Sequence, residues 1–205
     1  MKLFARECLV LLLGATLSFQ AIAEGDPNAG RNKAGTCVAC HGNDGNSAVA
    51  ANPKLAGQGA KYLLKQMTDI RDGARSAPLM VGQLDAMSDQ DLADIAAFYA
   101  SQASTGGVTE EKWLALGEDI YRAGNAERGI PACTGCHGPA GLGNAPAGYP
   151  RLSGQHADYI AQQLRNFSVG ERTNDGDSKA MRDIAERMNE NEIRAVASYA
   201  AGLRP

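Results

Sequence analysis

Apolar positions recur every three or four residues in four stretches of this chain, and none alternates with a period of two. From Ala60 to Ile70, the positions Tyr62, Leu63, Gln66, Met67 and Ile70 share one side of a helix. Leu92, Ile95, Ala96 and Tyr99 do so between Ser88 and Ser101. Glu111 to Tyr121 carries Trp113, Leu114, Leu116, Gly117, Ile120 and Tyr121, and Asn189 to Ala201 carries Ile193, Val196, Ala197 and Tyr199. The pattern predicts an all-α fold. A fifth apolar run, Leu9-Val10-Leu11-Leu12-Leu13, follows Lys2 and Arg6 and precedes Ala21-Ile22-Ala23. That is the layout of a cleavable secretory signal peptide, residues 1–23, and the run is too short to span a bilayer.

The helical stretches belong to an internal repeat. Pro53-Lys54-Leu55-Ala56-Gly57-Gln58 matches Pro150-Arg151-Leu152-Ser153-Gly154-Gln155. Tyr62-Leu63-Leu64-Lys65-Gln66 matches Tyr159-Ile160-Ala161-Gln162-Gln163, and Met80 and Met87 match Met181 and Met188. A period of about 100 residues is too long for a solenoid and reads as a duplicated domain. The division falls in the small, polar stretch Ser101 to Gly107, giving domains 24–103 and 104–205. The linker is short, so the two domains sit close together.

Each repeat contains the same chemistry: Cys37-Val38-Ala39-Cys40-His41 and Cys133-Thr134-Gly135-Cys136-His137. Cys-x-x-Cys-His is the attachment pattern of c-type haem, and two copies predict two covalently bound haem c groups. The cysteines form thioethers with the haem vinyl groups, and the histidine takes a place on the iron. Cys8 leaves with the leader, so these four cysteines are the only ones in the mature chain. Two disulfides or a four-cysteine zinc site are the alternatives. Neither explains a histidine directly after each pair.

His41 and His137 leave one axial position open on each iron, and thioether sulfur is the usual partner in c-type carriers. His156 aligns with Gly59, has no counterpart in the first repeat, and reads as a surface residue at a helix start. Met67 aligns with Leu164 and reads as core. Ser88-Asp89-Gln90-Asp91 has the form of a capping box, as do Asn189 and Glu192. Met87 and Met188 then precede the caps and face Leu92 and Ile193 as hydrophobic staples. Met80 and Met181 lie in what read as non-helical approach segments with no such task, which makes them the expected distal ligands. Pro53 and Pro150 stand 12 and 13 residues after the haem histidines. Their carbonyls are placed to accept from the histidine Nδ1–H, or the prolines simply make turns. Arg172, Asp175, Asp177 and Lys179 read as a solvated loop, with a haem propionate as the other partner.

Removing Lys2, Arg6 and Glu7 from the chain's 20 basic and 23 acidic residues leaves 18 and 22. This mildly acidic balance argues against nucleic acid as a partner and favours redox proteins that dock through a basic patch.

These motifs resemble the cytochrome c4 family, the two-domain dihaem c-type cytochromes of bacteria. The resemblance is carried by Cys133 to His137, Lys54 to Gln58, Tyr62 to Gln66, Ser88 to Leu92 and Arg172 to Asp177, and so spans nearly the whole mature chain. It implies two tandem class I cytochrome c domains related by pseudo-twofold symmetry. It implies His/Met ligation, here His41 with Met80 and His137 with Met181. It further implies a periplasmic protein, soluble or peripherally membrane-associated, that passes electrons from membrane respiratory complexes toward a terminal oxidase. The family leads one to expect a further methionine shortly after the first distal ligand; Gln83 stands there. With both irons saturated there is no open site, so an electron carrier and not an enzyme is expected. The alternatives are the dihaem electron-transfer subunit of a dehydrogenase complex, such as a sulfide dehydrogenase, or a dihaem peroxidase, which would need one switchable iron.

Overall fold

Local chemistry starts the longest helices where the sequence predicts them. The computed structural model describes residues 24–204; the signal-peptide reading falls outside them. In α4 (Asp89–Ala100) the Ser88 hydroxyl accepts from the Asp91 N–H at 3.2 Å, and the Asp91 carboxylate accepts from the Ser88 N–H at 3.0 Å. In α9 (Glu190–Gly202) Asn189 and Glu192 exchange the same two bonds at 3.0 and 2.8 Å. These bonds satisfy N–H groups that the first turn leaves free, and the carboxylates favour the positive end of the helix.

The first repeat contains α1 (Pro27–Lys33), α2 (Val38–His41), α3 (Ala60–Arg71) and α4. The second contains α5 (Glu111–Ala123), α6 (Thr134–His137), α7 (Ala157–Ser168), α8 (Ala180–Glu186) and α9. Helices α1 and α3 pack on α4, and α5 and α7 pack on α9. Both terminal crossings rely on a glycine. A Cβ on Gly30 would lie 1.9 Å from the Asp94 carbonyl oxygen, and one on Gly117 would lie 2.3 Å from that of Ala195. The first core gathers Leu63, Ile95, Phe98 and Tyr99; the second gathers Tyr121, Leu164, Met188, Ile193, Val196 and Tyr199. The described residues form no β-strand, only the isolated bridges Asn125–Ile130 and Asn144–Tyr149.

The two domains meet through side chains that occupy equal places in the repeat. Gln155 accepts from the Lys54 N–H and donates to the Lys54 carbonyl, both at 2.8 Å. Gln58 does the same to Arg151, at 2.8 and 3.0 Å. Arg75 bonds Gln66, Tyr159 and Gln163, while Arg172 bonds Gln163, Tyr62 and Gln66. Each of these contacts has its image across a pseudo-twofold axis.

Three sequence expectations change. Arg172 is buried at 6 % exposure in this interface and is not part of a solvated loop. Asp175 is held by the Arg182 guanidinium at 2.7 Å, while Asp177 and Lys179 are exposed as expected. His156 does stand at the start of α7, but it is half-buried, with Nε2 2.9 Å from the Ser47 carbonyl of the first domain.

Candidate haem-binding sites

Each Cys-x-x-Cys-His folds into a single helical turn. The His41 N–H bonds the Cys37 carbonyl at 2.9 Å, and the His137 N–H bonds that of Cys133 at 3.0 Å. Residues i, i+3 and i+4 share a helix face, so Cys37, Cys40 and His41 point the same way, as do Cys133, Cys136 and His137. Gly42 and Gly138 end the turns at φ of 81° and 77°, where a side chain would be strained.

No disulfide joins any of the four cysteines. Cys37 and Cys133 are partly buried, and Cys40 and Cys136 are exposed. Burial pushes the Cys37 thiol up, and pushes that of Cys133 up to about 11. A dithiol oxidoreductase lowers such a value to make a thiolate, so this environment argues against redox-active pairs.

The histidines are buried, at 6 % and 8 % exposure. Their Nδ1 atoms lie 2.9 Å from the Pro53 carbonyl and 3.0 Å from the Pro150 carbonyl. Desolvation lowers both pKa values against the opposing pull of those carbonyls, which favours neutral imidazole. A carbonyl only accepts, so Nδ1 carries the proton and Nε2 presents its lone pair, as an iron ligand requires. Of the two sequence readings of these prolines, the carbonyl acceptor is the one the geometry supports.

Met80 closes a 3₁₀ turn, Pro78–Met80, and is half-buried between exposed Leu79 and Val81. Met181 departs from expectation, because it lies in the first turn of α8 and not in a non-helical approach. Ala-Met-Arg-Asp-Ile-Ala-Glu consists largely of good helix formers, a signal overlooked because the matching segment of the first repeat carries Pro78 and Gly82. A shallow cleft of about 620 Å³ is lined by Ile130, Pro131, Ala180 and Ile184 among others, and Met181 is not part of its lining. Met87 and Met67 pack on the first core, Met188 lies within the second, and Met181 packs against the second from outside.

An anionic cofactor also suits the interface. Arg75 and Arg172 hydrogen-bond only neutral groups there: glutamines, tyrosines and Asn174. Arg75 Nε is buried without a hydrogen-bond partner among the described residues. Asp69 is the carboxylate that acts on Arg75 from nearby, but neither guanidinium hydrogen-bonds an acid, an arrangement that favours a further anion, and haem carries two carboxylates. The residues present therefore fit the group.

Comparison with known proteins agrees. The Cytochrome c family profile matches residues 29–103 and 114–203. A cytochrome c4 of Pseudomonas aeruginosa is 53 % identical over 94 % of this chain and 96 % of its own. The chain belongs to the cytochrome c4 family. The crystal structure of reduced recombinant cytochrome c4 from Pseudomonas stutzeri superposes with a TM-score of 0.86 at 48 % identity, covering 88 % of this chain and all of that one. At 39 % identity, a thiosulfate dehydrogenase electron acceptor of Stutzerimonas stutzeri covers 82 % of this chain and 78 % of its own. As a cytochrome c4, the protein is an electron carrier with two class I cytochrome c domains and two covalently bound haem c groups. Haem supplies one-electron iron chemistry; the chain supplies attachment, orientation and exclusion of water.

Proposed function

We propose that Cys37 and Cys40 attach one haem and Cys133 and Cys136 the other, with His41 and Met80 on the first iron and His137 and Met181 on the second. The observation that carries this reading is the matched Nδ1–carbonyl bond behind each Cys-x-x-Cys-His. Such a bond fixes the ring and raises ligand basicity, while thioether ligation raises the reduction potential. Residues 1–23 export the chain to the periplasm, where domains 24–103 and 104–205 relay electrons between protein partners, from membrane respiratory complexes toward a terminal oxidase. Among the described residues no helix is long and apolar enough to cross a membrane.

The test is the weak long-wavelength absorption of thioether on ferric haem, measured beside a pyridine haemochrome count of haems. Two haems with a band sized for two thioethers are expected, and Met80→Ala and Met181→Ala each remove half of it. A band that survives both substitutions sinks the ligand assignment.

The similarity to a thiosulfate dehydrogenase electron acceptor favours a second reading, in which the donor is a sulfur-compound dehydrogenase. Rapid reduction of this protein by such an enzyme and its substrate, in the absence of respiratory membranes, would select it.

A further inference from the structure

The interface glutamines touch more than the neighbouring domain. A peptide unit joins the carbonyl of one residue to the N–H of the next by resonance. The Pro53 carbonyl that faces His41 Nδ1 therefore shares a peptide with the Lys54 N–H that Gln155 binds. In the other direction, the Pro150 carbonyl facing His137 Nδ1 shares a peptide with the Arg151 N–H that Gln58 binds. The amide orientations are fixed by chemistry, since only Oε1 can accept from an N–H and only Nε2 can donate to a carbonyl. Each Oε1 accepts a second bond, from Gly59 N–H for Gln58 and from His156 N–H for Gln155, both at 3.0 Å. Both glutamines are buried.

We propose that Gln58 and Gln155 are positioning residues that let each domain tune the other domain's haem: Gln155 acts on the His41 haem and Gln58 on the His137 haem. The proposal rests on His41 and His137 being iron ligands. Accepting from the Lys54 N–H draws electron density toward the Pro53 oxygen and makes it a better acceptor. His41 then holds its Nδ1 proton less tightly and donates more strongly through Nε2, which stabilises ferric iron and lowers the potential. Because both domains must be docked for either relay to be complete, docking sets both potentials.

The experiment is a spectroelectrochemical titration of haem-loaded Gln155→Leu and Gln58→Leu, with the two haems distinguished by the Nδ1–H resonances of His41 and His137 in the diamagnetic reduced state. Gln155→Leu is expected to raise the potential of the His41 haem, shifting its equilibrium toward the reduced form by roughly two- to fivefold, where tenfold corresponds to 59 mV for one electron. The His41 Nδ1–H resonance moves to higher field and that of His137 stays. Gln58→Leu gives the mirror result. Gln155→Glu keeps an acceptor on the Lys54 N–H and leaves the potential at or below the parent value.

A merely structural role predicts the opposite sign, because opening the interface wets the haems and stabilises the more charged ferric state. A fall in potential, an equal change at both haems, or a change at the haem of the glutamine's own domain overturns the proposal. One measurement needs no variant: in the unmodified reduced protein the Lys54 and Arg151 amide protons must be protected from solvent exchange, and rapid exchange at either also overturns it. The haem count and thioether band of the same samples show separately whether the ligand assignment itself has failed.

Discussion

Four methionines stand in matched places, and substitution tests the proposal that two serve the irons and two the cores. Met188 lies in the second core beside Ile193, and Met87 is half-buried against the first. Met188→Ala is expected to cost about 2–5 kcal/mol through lost burial and a residual cavity, and Met87→Ala less, with the thioether–iron band unchanged in both. Denaturant unfolding with the absorption spectrum checks this; loss of half the band in either variant would reassign the ligand. The helix caps were legible in sequence because a capping box needs only four consecutive residues, and both boxes formed as read. The place of Arg172 was not legible. Its partners Tyr62 and Gln66 lie more than 100 residues away, and nothing local distinguishes an arginine satisfied across an interface from one in water.

At the level of elements, the terminal helix crossings depend on close backbone approach. Gly30→Ala and Gly117→Ala would each gain helix propensity of about 1 kcal/mol. The added methyl meets backbone oxygen at 1.9 and 2.3 Å, which no side-chain rotation relieves. A net loss of roughly 2 kcal/mol or more per site is expected from overpacking, read as a lower midpoint in denaturant unfolding. A gain in stability would show that the helices can separate at little cost. The first crossing is also acid-sensitive. Asp94, buried in α4, is held below the usual carboxylate range by Lys33, by the Asp26 N–H and by Gln90. A carboxylate with a depressed folded pKa adds stability that is complete above its unfolded value of about 3.9 and is lost as pH falls through the folded value. Stability should thus fall below about pH 4 with a slope that Asp94→Asn flattens, measured by circular dichroism across an acid titration. The four long helices predicted from periodicity all formed within a few residues of their expected ends. The one-turn helices α2 and α6 did not announce themselves, because a single turn shows no recurrence for periodicity to detect, and the seven-residue α1 and α8 are barely longer.

For the molecule as a whole, duplication made the two domains readable, yet the contact that joins them is polar and carried no apolar signature to find. Arg75, Arg172, Gln66, Gln163, Tyr62 and Tyr159 link the domains as three equivalent pairs, and Arg172 also lies 4.6 Å above the Phe167 ring. Burial alone would push the Tyr62 hydroxyl up, but the charges of Arg172 and Arg75 outweigh it and bring it down. Replacing Arg172 with methionine keeps much of the apolar contact with Phe167 while removing the bonds to Tyr62, Gln66 and Gln163. Gln66 and Gln163 keep their bonds to Arg75, so the main loss is the partner of the Tyr62 hydroxyl at about 1–3 kcal/mol, and the undocked population should rise by roughly fivefold to a hundredfold. The segment from Ser101 to Glu110 reports it, because Thr105 is bonded to Asn46 and Lys54 of the first domain while Thr109 and Glu110 are bonded to Tyr199 and Ser198 of the second, so separation of the domains pulls on it from both ends. Limited proteolysis should cut Arg172→Met there far faster than the parent protein and release two haem-bearing fragments, with each domain's own core intact. Equal cutting rates would mean that the reciprocal glutamine bonds and the linker hold the domains together without the arginines.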